Sequence, residues 1–191
     1  DEFQCETIHA WGMTETSPMG VVNQLKAKHL KLDESAQFEL RFAQGRPPFG
    51  VNIRISDDEK GRTELARDGQ TTGHLQIKGH WIVESYFNQF THTVTEDGWF
   101  DTGDMATIDQ DGYMVISDRS KDLIKSGGEW ISSVELENIA IAHPEIDMVA
   151  VIAATHLKWD ERPVLIAKKS ASSQVTEDTI LAFYTDKIAK W

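Results

Sequence analysis

The sequence predicts an α+β protein in two parts, a strand-rich distorted-barrel subdomain followed by a small, incomplete α+β domain. Three observations carry this expectation. Short apolar or alternating segments bounded by turn residues fill the stretch from about Gly45 to Ser117. After Arg119 the texture changes to a helix pattern, two apolar runs and a second helix pattern. The 40% hydrophobic and 26% charged residues are those of a folded globular chain, and 191 residues suffice for one domain or a domain plus part of another.

Each element follows from its residues. Glu6-Thr7-Ile8-His9-Ala10 is strand-like, whereas residues 38–43 fit a short strand or one helical turn equally. Val51-Asn52-Ile53-Arg54-Ile55, His74-Leu75-Gln76-Ile77-Lys78 and Gly112-Tyr113-Met114-Val115-Ile116 read as strands of a sandwich or distorted barrel. Turns such as Arg46-Pro47-Pro48-Phe49-Gly50 and Asp109-Gln110-Asp111-Gly112 bound them. Ser132-Ser133-Val134-Glu135 opens a helix with a hydroxyl cap and an early carboxylate. Val134, Leu136, Ile139 and Ala142 give that helix an apolar face, and Pro144 closes it. Met148-Val149-Ala150-Val151-Ile152-Ala153 and Val164-Leu165-Ile166-Ala167 read as buried strands. Residues 176–191 read as a helix opened at Thr176, with Ile180, Leu181, Tyr184 and Ile188 at helical spacing. That pattern reaches Trp191 without a Gly, a Pro or a cap, so the chain looks cut.

Composition excludes some functions. No apolar run approaches the roughly 20 residues needed to cross a bilayer, so no membrane span is expected. The start, Asp1-Glu2-Phe3-Gln4-Cys5, lacks the basic and apolar regions of a signal peptide. A net charge of −12 argues against nucleic acid as a partner. It does not argue against ATP, which is held by local N–H groups and Mg2+. The single cysteine, Cys5, rules out an internal disulfide and fits the cytoplasm or an organelle matrix. With no base near it, Cys5 reads as a packing residue beside Ile8. The seven histidines, His74 and His80 among them, lack the spacing of a metal site.

Three segments could carry chemistry. Trp11-Gly12-Met13-Thr14-Glu15-Thr16-Ser17-Pro18 combines a Gly that lets a phosphate approach, hydroxyls that donate to it and a carboxylate that can hold Mg2+. A capped turn accounts for the same residues equally well. Gly98-Trp99-Phe100-Asp101-Thr102-Gly103-Asp104 places two carboxylates around a Gly, a tight turn able to accept both hydroxyls of a ribose. A solvated Asp-Gly turn is its ordinary alternative. In Asp118-Arg119-Ser120-Lys121-Asp122-Leu123-Ile124-Lys125-Ser126-Gly127-Gly128-Glu129-Trp130, three cations that can grip phosphate or ribose precede a Gly pair. A basic linker with a Gly-Gly hairpin turn fits it too.

Together and in this order, the segments resemble the adenylate-forming superfamily of acyl-CoA synthetases, peptide-synthetase adenylation domains and beetle luciferases. Trp11 to Pro18 is similar to its aromatic-Gly-Met-Thr-Glu motif. Gly73-His74-Leu75-Gln76-Ile77-Lys78-Gly79 through Tyr86-Phe87 is similar to its Gly-Glu-Leu…Gly…Tyr segment, with His74 where Glu is usual. Phe100 to Asp104 is similar to its Thr-Gly-Asp motif, and Asp118 to Ser133 to its hinge motif. The resemblance covers nearly the whole chain. Lys26 to Gln44 and His80-Trp81-Ile82-Val83 look most like the medium- or long-chain fatty-acyl and methylmercaptopropionate-type CoA ligases.

The resemblance implies a role for each matched residue. Trp11, where Tyr is commoner, would stack on adenine, with Gly12 and Met13 beside it and Ile116 lining the same pocket. Thr14 would contact phosphate and Glu15 would coordinate Mg2+. Asp104 and Arg119 would hold the ribose. Residues 1–120 would be the C-terminal part of the large adenylation domain and 121–191 the start of the small mobile domain, with Lys121 at the hinge. Lys125 would serve the thioester half-reaction. Gly127 and Gly128 would pass the pantetheine arm, and Trp130 would press on CoA. The implied reaction joins a carboxylic acid, ATP and CoA into acyl-CoA, AMP and pyrophosphate through acyl-AMP, and leaves room for a homodimer.

Two family segments have no match here, the Gly-rich phosphate loop and the segment with the adenylation lysine. They are expected upstream of Asp1 and downstream of Trp191, so the chain by itself is expected not to turn over and to expose faces that pack elsewhere. A domain loading a carrier protein, a luciferase-like oxygenase and a non-catalytic nucleotide-binding module are the competing readings. Gly128-Glu129-Trp130-Ile131 favours the CoA ligase over the first.

Overall fold

The computed structural model describes residues 7–88 and 93–188; Cys5 and Trp191 lie outside the described residues. Packing divides the chain between Ser117 and Asp118.

The first unit begins with an antiparallel ribbon of β1 (Ala10–Gly12) and β2 (Met19–Val22). Of the strand expected over residues 6–10, Glu6 lies outside the described residues and 7–9 are not strand; β1 starts at Ala10 and takes Trp11 and Gly12 of the motif into its ladder. The next helix, α1 (Glu34–Leu40), is capped by Asp33, whose carboxylate accepts the Ala36 N–H; of residues 38–43 it takes 38–40, and 41–43 turn out of it. A sequential antiparallel meander follows, formed by β3 (Val51–Ser56), β4 (Gly73–Gly79), β5 (Phe100–Ile108) and β6 (Met114–Arg119). Tyr113, placed in a strand by its alternation, lies in the turn ahead of β6. Bridges from Val22 to Arg46 and from Gly45 to Met114 join the ribbon to β6 through residues 45–46. This joining links the ribbon and the meander into one strand-rich unit.

Register makes the core. Ile53 pairs with Ile77 and Ile55 with Leu75, and all four are essentially inaccessible. With side chains alternating between faces, this register sends Arg54, Gln76 and Asp101 together to the opposite face. Arg54 is buried there. Its Nε donates to Gln76 Oε1 at 2.8 Å, its Nη1 to Asp97 Oδ2 at 2.8 Å, and its guanidinium lies 4.4 Å from the Trp99 ring centre.

The Asp-Gly segment is not a chain reversal. Asp101 pairs with Gln76 and Met105 with His74, so the ladder to β4 resumes on both sides and residues 102–104 bulge opposite Leu75. Gly103, at φ 75°, supplies the left-handed residue that the bulge needs.

The second unit has a four-stranded antiparallel sheet. Its order is β8 (Glu129–Ile131), β7 (Ile124–Ser126), β10 (Asp160–Lys169), β9 (Ile146–His156). The Gly127–Gly128 turn, with φ of 62° and 92°, joins β7 to β8 as the two-residue hairpin turn that the Gly pair allows. Helix α2 (Ser133–Ile141) buries Leu136 and Ala140, with Ile139 alongside. Val134 and Ala142 face outward instead, because the face that meets the sheet is set by Leu136 and its neighbour one turn later. Its start is doubly fixed. Ser132 Oγ accepts the Glu135 N–H at 3.1 Å and donates to Asp118 Oδ2 at 2.9 Å, which also takes the Ser133 N–H at 2.8 Å.

The apolar runs in β9 and β10 are strands, but only half-buried ones. Val151 is enclosed, whereas Met148, Ile152, Val164 and Ile166 are 63, 50, 41 and 54% exposed, since helices cover one face of the sheet only. Helix α3 (Glu177–Phe183), capped by Thr176, is shorter than its pattern. Its last turn tightens at Tyr184, and Asp186 at φ 63° leaves the helical region. Tyr184 still reaches the core and donates from its hydroxyl to the Leu136 carbonyl at 2.6 Å.

Arg54→Met keeps an apolar stem over Trp99 but loses the charged bonds, and is expected to cost about 1.5–3 kcal/mol. Asp97→Ala is expected to cost at least as much although Asp97 is the more exposed partner, because it strands a buried cation. Urea unfolding of the two variants measures that order.

Candidate active site

In the first motif, backbone geometry comes before chemistry. A Cβ on Gly12 would lie 1.7 Å from the Pro18 carbonyl oxygen, so only Gly lets the chain fold back here. Thr16 locks the loop: its buried hydroxyl accepts the Met13 N–H at 2.9 Å and donates to the Pro18 carbonyl at 2.6 Å. Thr14 and Glu15 ride on the resulting single turn, with Thr14 exposed and Glu15 half-buried. Tyr86 donates its hydroxyl to Glu15 Oε1 at 2.6 Å, and the Val83 N–H donates to the Glu15 carbonyl at 2.8 Å. The Glu15 hydrogen bond pushes the Tyr86 hydroxyl above its ordinary pKa. Around them lies an open cleft of about 460 Å3 lined by Thr14, Glu15, Ser17, Trp81 and residues 82–86. Sequence reading did not assign Thr16 or Tyr86 to the site. The signals were the second hydroxyl of the motif and a Tyr in the matched Gly…Tyr segment.

The donors suit a hard cation. Glu15 and Thr14 offer a carboxylate and a hydroxyl, and no cluster of three or more potential ligands occurs among the described residues. A Mg2+ that keeps waters and is bridged by substrate phosphates needs no more protein than that.

The structure brings Trp11 and Asp104 together across 93 positions of sequence: the Trp11 indole N–H donates to Asp104 Oδ2 at 3.1 Å. Both residues are half-buried. The indole packs against β2, where a Cβ on Gly20 would come within 2.3 Å of its ring. Trp11, Met13 and Ile116 all pack against the Ile53/Ile77 core, and the Ile116 N–H is held by Gln44 Oε1 at 2.8 Å. Asp104 itself is aimed by the bulge, where its N–H donates to Thr102 Oγ1 at 3.1 Å and Thr102 in turn donates to the Leu75 carbonyl at 3.0 Å. Beside it, Asp101 Oδ1 accepts the Gly103 N–H at 2.9 Å. Burial pushes the Asp101 carboxyl above its ordinary pKa, opposed by the Gly103 N–H and by His74.

The second unit presents the remaining candidates. Arg119 is exposed at the end of β6, its N–H held by Asp118 Oδ1 at 2.7 Å, and Lys121 stands in the exposed turn that follows. Lys125 and Trp130 face each other across the β7–β8 hairpin, with Nζ 5.7 Å from the indole ring centre, and Trp130 is exposed. Gly127 rests on Trp159, whose ring a Cβ would meet at 2.7 Å, while Gly128 has nothing within 4 Å of such an atom. Glu161 Oε2 accepts the Lys125 N–H at 2.8 Å. Trp159 and Glu161 were not expected; their only signal was an aromatic and a carboxylate at a hairpin end.

Comparison with known proteins identifies the segment. A 3-methylmercaptopropionyl-CoA ligase of Ruegeria pomeroyi is 56% identical over all 191 residues, which span 35% of that protein. The chain is a homologue of the acyl-CoA ligases over about a third of their length. A medium-chain-fatty-acid–CoA ligase of Ectopseudomonas oleovorans is 53% identical over the whole chain. A long-chain-fatty-acid–CoA ligase of Thermus thermophilus is 41% identical over 97% of it. Each match spans 35% of the ligase concerned. No protein-family model matches the chain. Among solved structures, ATP-bound MatB from Rhodopseudomonas palustris superposes on this acyl-CoA ligase homologue with a TM-score of 0.78. It is 28% identical and covers 96% of the chain, which spans 34% of MatB. The o-succinylbenzoate CoA synthetase of Bacillus subtilis, in complex with its acyl-adenylate intermediate, matches at a TM-score of 0.79 and 28% identity. It covers the same 96%, here 35% of the synthetase. The mixed α/β fold with antiparallel sheets is thus that of adenylate-forming enzymes.

The raised Asp101 carboxyl gives a pH test. The native state binds this proton more tightly than the unfolded chain, so stability falls as pH rises from the ordinary carboxylate pKa through the raised one. Asp101→Asn cannot ionise and escapes that loss. Its Tm is expected at or above that of the parent at pH 7, the gap closing as pH falls towards the ordinary value of about 3.9. Thermal melts across that range measure the gap.

Proposed function

We propose that the enzyme carrying this segment activates a carboxylic acid with ATP and transfers the acyl group to CoA. The observation that carries this reading is the Trp11–Asp104 hydrogen bond, which puts an aromatic platform and a ribose-accepting carboxylate side by side from two distant motifs. Acyl-CoA ligase relatives at up to 56% identity supply the chemical class. The names of the relatives favour a 3-methylmercaptopropionate-like or medium-chain acid as substrate.

In this reading residues 1–120 end the large domain and 121–191 begin the small one, which turns about Lys121 between the two half-reactions. Trp11 stacks on adenine, with Ile116 lining the pocket and Gly12 and Met13 shaping its floor. Asp104 accepts the ribose hydroxyls, and Arg119 is assigned to the same sugar through its motif. Thr14 donates to phosphate. Glu15, steadied by Tyr86, holds Mg2+, which when bound neutralises phosphate charge. The substrate carboxylate attacks the α-phosphorus and pyrophosphate departs. The CoA thiol then attacks the acyl carbon and AMP departs. Lys125 serves that second step, and Gly127, Gly128 and Trp130 receive the pantetheine arm.

Two variants of the intact enzyme test the assignment. Asp104→Ala is expected to weaken ATP binding by about 1.5–3 kcal/mol, the scale of charged hydrogen bonds; unchanged affinity by calorimetry removes Asp104 from the site. Lys125→Ala is expected to slow transfer from preformed acyl-AMP to CoA while sparing pyrophosphate release. Single-turnover experiments in which both halves slow equally would overturn that division.

A further inference from the structure

His74 Nδ1 and Asp101 Oδ2 are buried side-chain atoms that lack any hydrogen-bond partner. They face each other at 3.7 Å, too far for a hydrogen bond but close enough for an ion pair. Neither residue belongs to the Glu15 cleft, and two such groups are too few for a metal site. What the pair does touch is the bulge.

We propose that His74 and Asp101 are positioning residues that hold the β5 bulge in the shape that aims Asp104 at the nucleotide. This inference rests on the nucleotide-binding role proposed above for Asp104. Among the hydrogen bonds that anchor the bulge are those of Thr102 to the Leu75 carbonyl, of the Asp104 N–H to Thr102, and of the Gly103 N–H to Asp101 Oδ1. Of these, the last uses an ionisable group and holds Gly103, the residue that turns the chain back into register. An ionised Asp101 gives the Gly103 N–H its strongest acceptor, but its second oxygen is buried. His74 Nδ1 faces that oxygen at 3.7 Å from the neighbouring strand and is the group placed to offset its charge. Gln76 contributes a weaker polar contact, and Glu59 opposes the charge from nearby. Removing the compensation leaves a carboxylate with a buried oxygen that is relieved by taking a proton or by moving, and either weakens its hold on Gly103 and so the aim of Asp104.

The test uses the intact enzyme in a pyrophosphate-release assay. His74→Glu, which sets two carboxylates against each other, is expected to raise KM for ATP about tenfold while KM for CoA stays within about twofold. Adding Asp101→Asn, which removes the repulsion but keeps an acceptor for Gly103, is expected to bring KM for ATP back to within about threefold of the parent. An unchanged KM for ATP in His74→Glu overturns the inference, as does an equal rise for CoA or a failure of the second change to rescue. Should His74→Glu not fold by circular dichroism, Asp101→Ala against Asp101→Asn asks the same question: only Ala should raise KM for ATP, and equal values overturn the proposal. Asp104→Ala run alongside separates the two claims. If it raises KM for ATP and the pair variants do not, the positioning role alone falls. If it leaves KM for ATP unchanged, the nucleotide assignment and this inference fall together.

Discussion

The first unit depends on one constraint, the register of β3 on β4. Side chains alternate strictly across a pleated strand, so placing Ile53, Ile55, Leu75 and Ile77 in the core leaves Arg54, Gln76 and Asp101 no choice of face. That face is covered rather than solvated, and its polar groups had to find partners: Gln76, Asp97 and Trp99 for Arg54, and a backbone N–H and a histidine for Asp101. The bulge in β5 is where the ladder yields. It releases residues 102–104 from pairing and so frees Asp104 to meet Trp11. Core packing and site geometry are therefore one arrangement viewed from two sides of the same sheet.

A parallel logic runs through the second unit. Asp118, deeply buried, spends one oxygen on the Arg119 N–H and the other on the start of α2. A carboxylate at a helix N-terminus satisfies orphan donors and complements the helix dipole. This ties the segment that carries Arg119 and Lys121 to α2, while Trp159 and Glu161 seat the hairpin that carries Lys125 and Gly127. The exposed cations and Trp130 thus stand on elements anchored by buried or half-buried groups.

Much of this was legible in the chain. The strands at Val51 and His74, the Ser132 cap and the Gly-Gly turn follow from alternation, hydroxyl placement and positive φ, all of which are local. The misses have a common cause. The strands of residues 148–153 and 164–167 are apolar on both faces, so their pattern does not say which face a helix will cover. The Asp-Gly segment has the composition of a turn, and only its partner strand reveals that the chain continues straight through it.

The candidate site divides along the same line. The sequence by itself determined which residue types were present and in what order, and that order carried the resemblance to adenylate-forming enzymes, because each motif is a contiguous stretch. Tertiary structure alone decided that Trp11 would bond to Asp104, that Tyr86 would steady Glu15, and that His74 would face Asp101. Those contacts join residues 93, 71 and 27 positions apart. They depend on register, bulge and burial, which are properties of how strands meet rather than of any one strand.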